Sequence, residues 1–155
     1  MYNEEMMEKY VNHPKCIAIG ECGLDYFRLP EDEDEKIANV EKQKEVFISQ
    51  IEFAKKVKKP LIIHIREASN DSRQILIDYN AKEVGGVLHC YNASEHLLPL
   101  SEHNFYFGIG GVLTFKNAKK LVEVLPKIPK DKLLIETDAP YLTPHPHRGE
   151  RNEPY

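Results

Sequence analysis

Five short runs rich in Ile, Val and Leu, with helical patterning between them, set the tightest limit on what this chain can fold into. They lie at Cys16–Gly20, Leu61–Ile65, Gly86–His89, Phe105–Ile109 and Leu133–Ile135. None alternates cleanly between apolar and polar residues, which is the pattern of strands covered on both faces, as in a parallel sheet. Ile37, Val40, Phe47, Ile51 and Ala54 recur at helical spacing and the pattern stops before Pro60. A second helix is expected from Ser69/Asn70 through Ile75, Leu76 and Tyr79. Weaker patterns follow Ser94 and Asn117, the latter with Ala118, Leu121, Val122 and Leu125. Strands alternating with helices in this way form a repeating βα unit. Leu29–Lys36 (LPEDEDEK) is acidic and poor in apolar residues, and reads as a solvated loop. No internal repeat or linker divides residues 1–155, so a single α/β domain is expected.

Five βα units do not close a barrel, since eight take about 250 residues. The choice is between an open doubly wound sheet and an incomplete (β/α)8 barrel, and the polar residues at the strand ends bear on it. Glu21 follows the first run, His64 lies in the second, His89 ends the third and Asp138 follows the fifth. The fourth leads into Gly110 and Gly111, which leave space instead of a ligand. In a parallel barrel all strand C-termini meet at one mouth, so side chains from different strands can surround one point. Two imidazoles and two carboxylates suit Zn²⁺, Mn²⁺ or Fe²⁺ and, with waters, Mg²⁺. Taken singly, each has an ordinary structural alternative. Either histidine can be a hydrogen-bonded core residue, Glu21 an ion-pair partner of Arg28 or Arg66, and Asp138 a turn residue before Ala139-Pro140. Their common position favours the metal reading, because charged groups near a buried mouth need partners.

Composition narrows the class. There is no apolar run near 18 residues and no apolar segment of signal-peptide type at the N-terminus, so no membrane association is expected. Three cysteines, Cys16, Cys22 and Cys90, are an odd number and suit a reducing, cytoplasmic setting. A net charge of −4 argues against nucleic-acid binding by bulk charge, although a metal centre can supply local positive charge.

GECGLDYFR, LIIHIREA, GVLHCYNAS, FGIGGVLTFKNA and LLIETDAPYLTPHPHRGERNEP occur in that order, from about Lys15 to the C-terminus. This ordered set resembles the signatures of TatD-type metal-dependent deoxyribonucleases, within the amidohydrolase-like barrel hydrolases. The resemblance implies a (β/α)8 barrel with two divalent ions at its C-terminal mouth, Mg²⁺ first, with Zn²⁺ or Mn²⁺ as alternatives. It implies that Glu21 bridges the ions, that His64 and His89 ligate one, and that Asp138 binds the other and takes a proton from the attacking water. The resemblance thereby implies that Glu21 and Asp138 are the catalytic carboxylates, and that the activity is of 3′–5′ exonuclease type on DNA, as single strands or ends. Asp25 either orients a ligand or serves local structure. Arg66, Arg148 and Arg151 are candidate phosphate-binding residues; the alternatives are an ion pair of Arg66 with Glu67 or Glu21, and solvated surface charge for the other two. His145 and His147, with Pro146 between them on a loop, suit a structural or substrate-stacking role better than metal binding.

The resemblance is incomplete. The family's first strand ends in an H-x-H pair that has no counterpart before Glu21. The expectation is therefore a chain truncated at both ends, holding strands four to eight of the barrel. Glu21, His64 and His89 would complete one ion site and leave the other with only Glu21 and Asp138, so one ion should bind better than two and DNA cleavage should be weak or absent. The full-length enzyme is expected to be a monomer. Two alternatives remain: an amidohydrolase or esterase acting on a small molecule, and a non-catalytic metal-binding remnant.

Overall fold

The computed structural model describes residues 2–154. Its strands are β1 (Ile19–Asp25), β2 (Leu61–Arg66), β3 (Gly86–Leu88), β4 (Phe105–Ile109) and β5 (Leu133–Ile135). The α-helices are α1 (Glu4–Val11), α2 (Glu33–Val57), α3 (Ser69–Asp78) and α4 (Lys119–Val124), with 3₁₀ segments at Glu95–His103 and elsewhere. All five strands form one parallel sheet in the order β1-β2-β3-β4-β5. Each crossover advances one place in the same direction. There is no point at which strand order reverses, so the sheet is not doubly wound.

Three local expectations need correction. The first strand is Ile19–Asp25 and not Cys16–Gly20, so Glu21 lies inside it. Half of the acidic stretch is helix, because Asp32 caps α2 by accepting from the Glu35 N–H at 3.0 Å and puts Glu33, Asp34 and Glu35 in the first turn. Acidic residues there complement the helix dipole, which a reading by apolar content overlooks. The segment after Ser94 is 3₁₀ with Pro99 inside it, where proline's missing N–H and ring disfavour an α-helix.

The helices cover one face of the sheet. Phe47, Ile51 and Ala54 of α2, Ile75 and Leu76 of α3, Leu97 and Leu100 of the 3₁₀ segment and Leu121 and Val124 of α4 share one core with Leu24, Leu61, Ile63, Leu88, Phe105 and Phe107. Along β2 the burial alternates, with Leu61, Ile63 and Ile65 buried and Ile62 and Arg66 exposed. Coverage is therefore one-sided, contrary to the two-sided burial expected from the lack of alternation.

The opposite face is graded along the strands. At their N-terminal ends an apolar groove of about 370 Å³ is lined by Ile17, Ile62, Val87, Tyr106 and Leu134, among others. At their C-terminal ends the same face carries charged side chains. A bulge in β1, where Ile19 pairs with Leu61 but Cys22 with Ile63, keeps Cys22 and Leu24 in the core and leaves Glu21, Gly23 and Asp25 on the charged side. Gly23 has φ +131°, and a Cβ there would overlap the His64 carbonyl oxygen, so only glycine lets β1 lie this close to β2.

Candidate metal centre

His64 alternates with the buried residues of β2 and so projects from the helix-free face. His89 lies one residue past β3, where its N–H donates to the Ile63 carbonyl at 2.8 Å and prolongs the sheet ladder. Glu136 follows β5 in the same way, its N–H donating to Ile109 at 3.2 Å. Residues in the left-handed region follow directly: Glu67 (φ 55°) after Arg66 and Cys90 (φ 45°) after His89. Such strained backbone recurs where chains build functional sites.

The two imidazoles have matching environments. His64 Nδ1 is 3.2 Å from Glu21 Oε1 and its Nε2 is 3.0 Å from Asp25 Oδ2. His89 Nε2 is 3.2 Å from Asp138 Oδ1 and its Nδ1 is 3.0 Å from Glu136 Oε2. Each ring thus sits between one carboxylate expected as a ligand and one that was not. Asp25 is held by the neighbouring helix, since Gln43 of α2 accepts from its N–H and donates to its carbonyl, both at 2.9 Å. Glu136 also accepts from the Cys90 N–H at 2.6 Å. Space for Glu136 comes from Gly108 of β4, where a Cβ would overlap its carboxylate. The expectation placed that space at Gly110 and Gly111; it lies mainly one step earlier on the strand face.

Electrostatics follow from these contacts. Burial disfavours a charge on His89, but the Glu136 hydrogen bond and charge, with Glu21 and Asp138 beyond, hold its pKa above the ordinary imidazole value. Burial also works against ionised Asp25, yet the Phe27 N–H, the His64 ring and Arg66 hold its pKa below the usual carboxylate range. Burial and the neighbouring carboxylates push the Cys90 thiol up to about 11.

Glu21, His64, His89 and Asp138 all lie on one side of the sheet at the strand C-terminal ends, but they are divided between the two hydrogen-bonded groups. Among the described residues no three His, Cys, Asp or Glu side chains are arranged around a single ion position. The donor set fits a divalent cation chemically: imidazole and carboxylate on one rim, with each ring already oriented by a second carboxylate, as in metal sites. Glu136 is the residue that sequence reasoning missed. Its signal was the strand period of two, which puts Leu134, Glu136 and Asp138 on one face of LLIETDAP.

Of the candidate phosphate-binding residues, Arg66 lies on this face with its guanidinium carbon 3.5 Å from the centre of the Phe27 ring. Its expected alternatives, ion pairs with Glu21 or Glu67, are not formed: Glu21 faces His64 instead. Arg148 lies over the Phe115 ring at 4.1 Å and donates to Asn117 at 3.4 Å. Arg151 pairs with Glu153 at 3.0 Å and, with His145, His147 and Glu136, lines a cleft of about 760 Å³ between the ends of β4 and β5 and the C-terminal segment. His147 pairs with Glu150 at 3.2 Å, and the His145 N–H donates to Thr114 at 2.7 Å.

A sequential parallel βα sheet with a rim of histidines and carboxylates defines a class of hydrolase-like folds, and comparison with known proteins identifies the family. Residues 1–155 match the family described as TatD related DNase, and the chain belongs to it. It is 50% identical over 145 residues to the uncharacterized metal-dependent hydrolase YabD of Bacillus subtilis (strain 168), covering 92% of this chain and 53% of that protein. It is 37% identical over 158 residues to the 3′-5′ ssDNA/RNA exonuclease TatD of Escherichia coli (strain K12), covering 97% of this chain and 58% of that one. The crystal structure of YjjV, a TatD homologue from Escherichia coli K12, superposes with a TM-score of 0.81 at 28% identity, over 97% of this chain and 55% of the other. The chain spans about half the length of the curated relatives it matches.

Proposed function

We propose that this chain is five consecutive units of a (β/α)8 barrel, forming one domain, and that it carries the centre of a divalent-metal-dependent phosphodiesterase acting on single-stranded DNA ends. The observation that carries the reading is the pairing of each rim histidine between two carboxylates, His64 between Glu21 and Asp25 and His89 between Asp138 and Glu136. The exonuclease activity on ssDNA and RNA for which the Escherichia coli relative is named supports the substrate class.

In this reading Glu21, His64 and His89 would hold one ion, and Glu21 and Asp138 would contribute to a second. Mg²⁺ is the first choice, with Mn²⁺ or Zn²⁺ as alternatives. Bound divalent ions supply Lewis-acid polarisation of the phosphodiester and acidify a water. The chain does the rest. Glu136 lies 3.0 Å from His89 Nδ1 and Asp25 3.0 Å from His64 Nε2, so these carboxylates orient the two rings and turn their other nitrogens toward Asp138 and Glu21. The Asp138 carboxylate, next to His89, receives the proton of the attacking water. Arg66, Arg148 and Arg151 meet the phosphates; the exposed Arg151–Glu153 pair contributes little to stability, so exchanging it for phosphate costs little.

The test combines metal binding and cleavage. Loss of the free Mn²⁺ electron paramagnetic resonance signal should report one ion bound more tightly than any second. A 5′-labelled single strand should shorten slowly from its 3′ end in Mg²⁺ or Mn²⁺. EDTA should stop the reaction, and Asp138→Asn should slow it by about a hundredfold or more. Mn²⁺ binding with an intact oligonucleotide, alongside hydrolysis of an amide or carboxylic ester, would overturn the phosphodiesterase reading.

A further inference from the structure

Two residues beyond β1, Phe27 stands on the charged side of the molecule with its ring substantially exposed. Its loop is fixed on both sides. The Phe27 N–H donates to Asp25 Oδ1 at 2.9 Å, and the other oxygen of the same carboxylate holds His64. The preceding Tyr26 donates its N–H to the Arg66 carbonyl at 2.9 Å and its hydroxyl to Asp71 at 2.9 Å, and Lys44 anchors Asp71 at 3.0 Å. Two guanidinium groups converge on the ring, Arg66 at 3.5 Å and Arg28 at 5.8 Å from its centre.

Neither arginine has a carboxylate within ion-pair distance among the described residues; the adjacent acids, Glu21 and Asp25, face His64. Unpaired guanidinium groups offer forked donors suited to a phosphate. A ring with a guanidinium laid against it offers a flat stacking surface, which every base can use whatever its sequence. Bases inside a duplex already have both faces stacked, so only an unpaired base can take this surface.

We propose that Phe27, Arg66 and Arg28 form a subsite for one unpaired nucleotide, with the base stacked on the Phe27–Arg66 pair and its phosphate held by the guanidinium groups. The subsite adjoins the proposed metal centre through Asp25. It rests on the phosphodiesterase reading for its role in catalysis but not for its binding chemistry. It would confer a preference for single strands that the metal centre alone would not provide.

Fluorescence anisotropy of 5′-fluorescein hexathymidylate, in EDTA and low salt, tests the subsite without the metal centre. An abasic deoxyribose-phosphate hexamer serves as the comparison probe. Wild type should bind the base-bearing strand more tightly. Phe27→Ala should weaken that binding roughly tenfold, as expected for loss of one stacked base, and leave abasic binding within twofold. Phe27→Tyr should retain the affinity, Phe27→Leu should lose it, and Arg28→Gln should weaken both probes. Equal losses for both probes in Phe27→Ala and Phe27→Leu, no loss for either, or no preference in wild type would overturn the subsite. Base-dependent binding that persists while metal-dependent cleavage fails would sink the catalytic reading alone; cleavage without base dependence would sink the subsite alone.

Discussion

At the scale of single residues, the pair His89–Glu136 decides how the rim responds to pH. The folded pKa of His89 is raised above its ordinary value of 6.5, so protonation favours the folded state. The stability it contributes is complete below the unfolded pKa and is lost as pH rises through the folded pKa. Glu136→Gln removes the largest favourable partner of the imidazolium and should lower the His89 pKa, read as an upfield-shifting imidazole resonance in a metal-free NMR titration. An unchanged midpoint would show that Glu136 does not hold the ring. The sequence displayed His64, His89, Glu21 and Asp138 through their place in or just after apolar runs. It did not display the partner carboxylates, because Asp25 and Glu136 act through contacts that only strand pairing creates. Which arginines stay unpaired was equally invisible, since Arg66 has Glu67 beside it in sequence and Asp25 opposite it in register, and the fold laid it against Phe27.

At the scale of elements, caps and close approaches carry the argument. Asp32→Ala removes the cap of α2, a helix of 25 residues, and should cost about 1 kcal/mol in urea denaturation with an unchanged m-value. Gly23→Ala should cost about 2 kcal/mol or more, because the added methyl meets the His64 carbonyl and the backbone at φ +131° excludes alanine. A loss under 0.5 kcal/mol would mean that β1 can move off β2 without penalty. The long helix and the fourth and fifth strands were legible from periodicity and apolar runs. The start of β1 was not, since KCIAIG and ECGLD are both compatible with extended chain and the sheet register makes the choice. The start of α2 was missed because capping and dipole effects act through acidic residues, which a hydrophobicity reading assigns to loops.

At the scale of the whole molecule, the helix-free face combines a polar rim with an open apolar floor. Ile17 is 78% exposed, Leu134 44% and Ile62 36%, and all three line one apolar groove on this face. The native protein should therefore bind anilinonaphthalene sulfonate, and the double substitution Ile62→Ser with Leu134→Ser should abolish most of that fluorescence while leaving the far-ultraviolet dichroism unchanged. Retained fluorescence in the double variant would place the dye elsewhere. By itself the sequence determined the βα alternation, the polar residues in or beyond four of the five apolar runs and the family, because these depend on local periodicity and on motif order along the chain. Tertiary structure alone decided that helices cover one face only, and that each rim histidine is shared between two carboxylates. Those features depend on which residues meet across the sheet, and pairing between segments up to 49 residues apart leaves no mark in the local pattern.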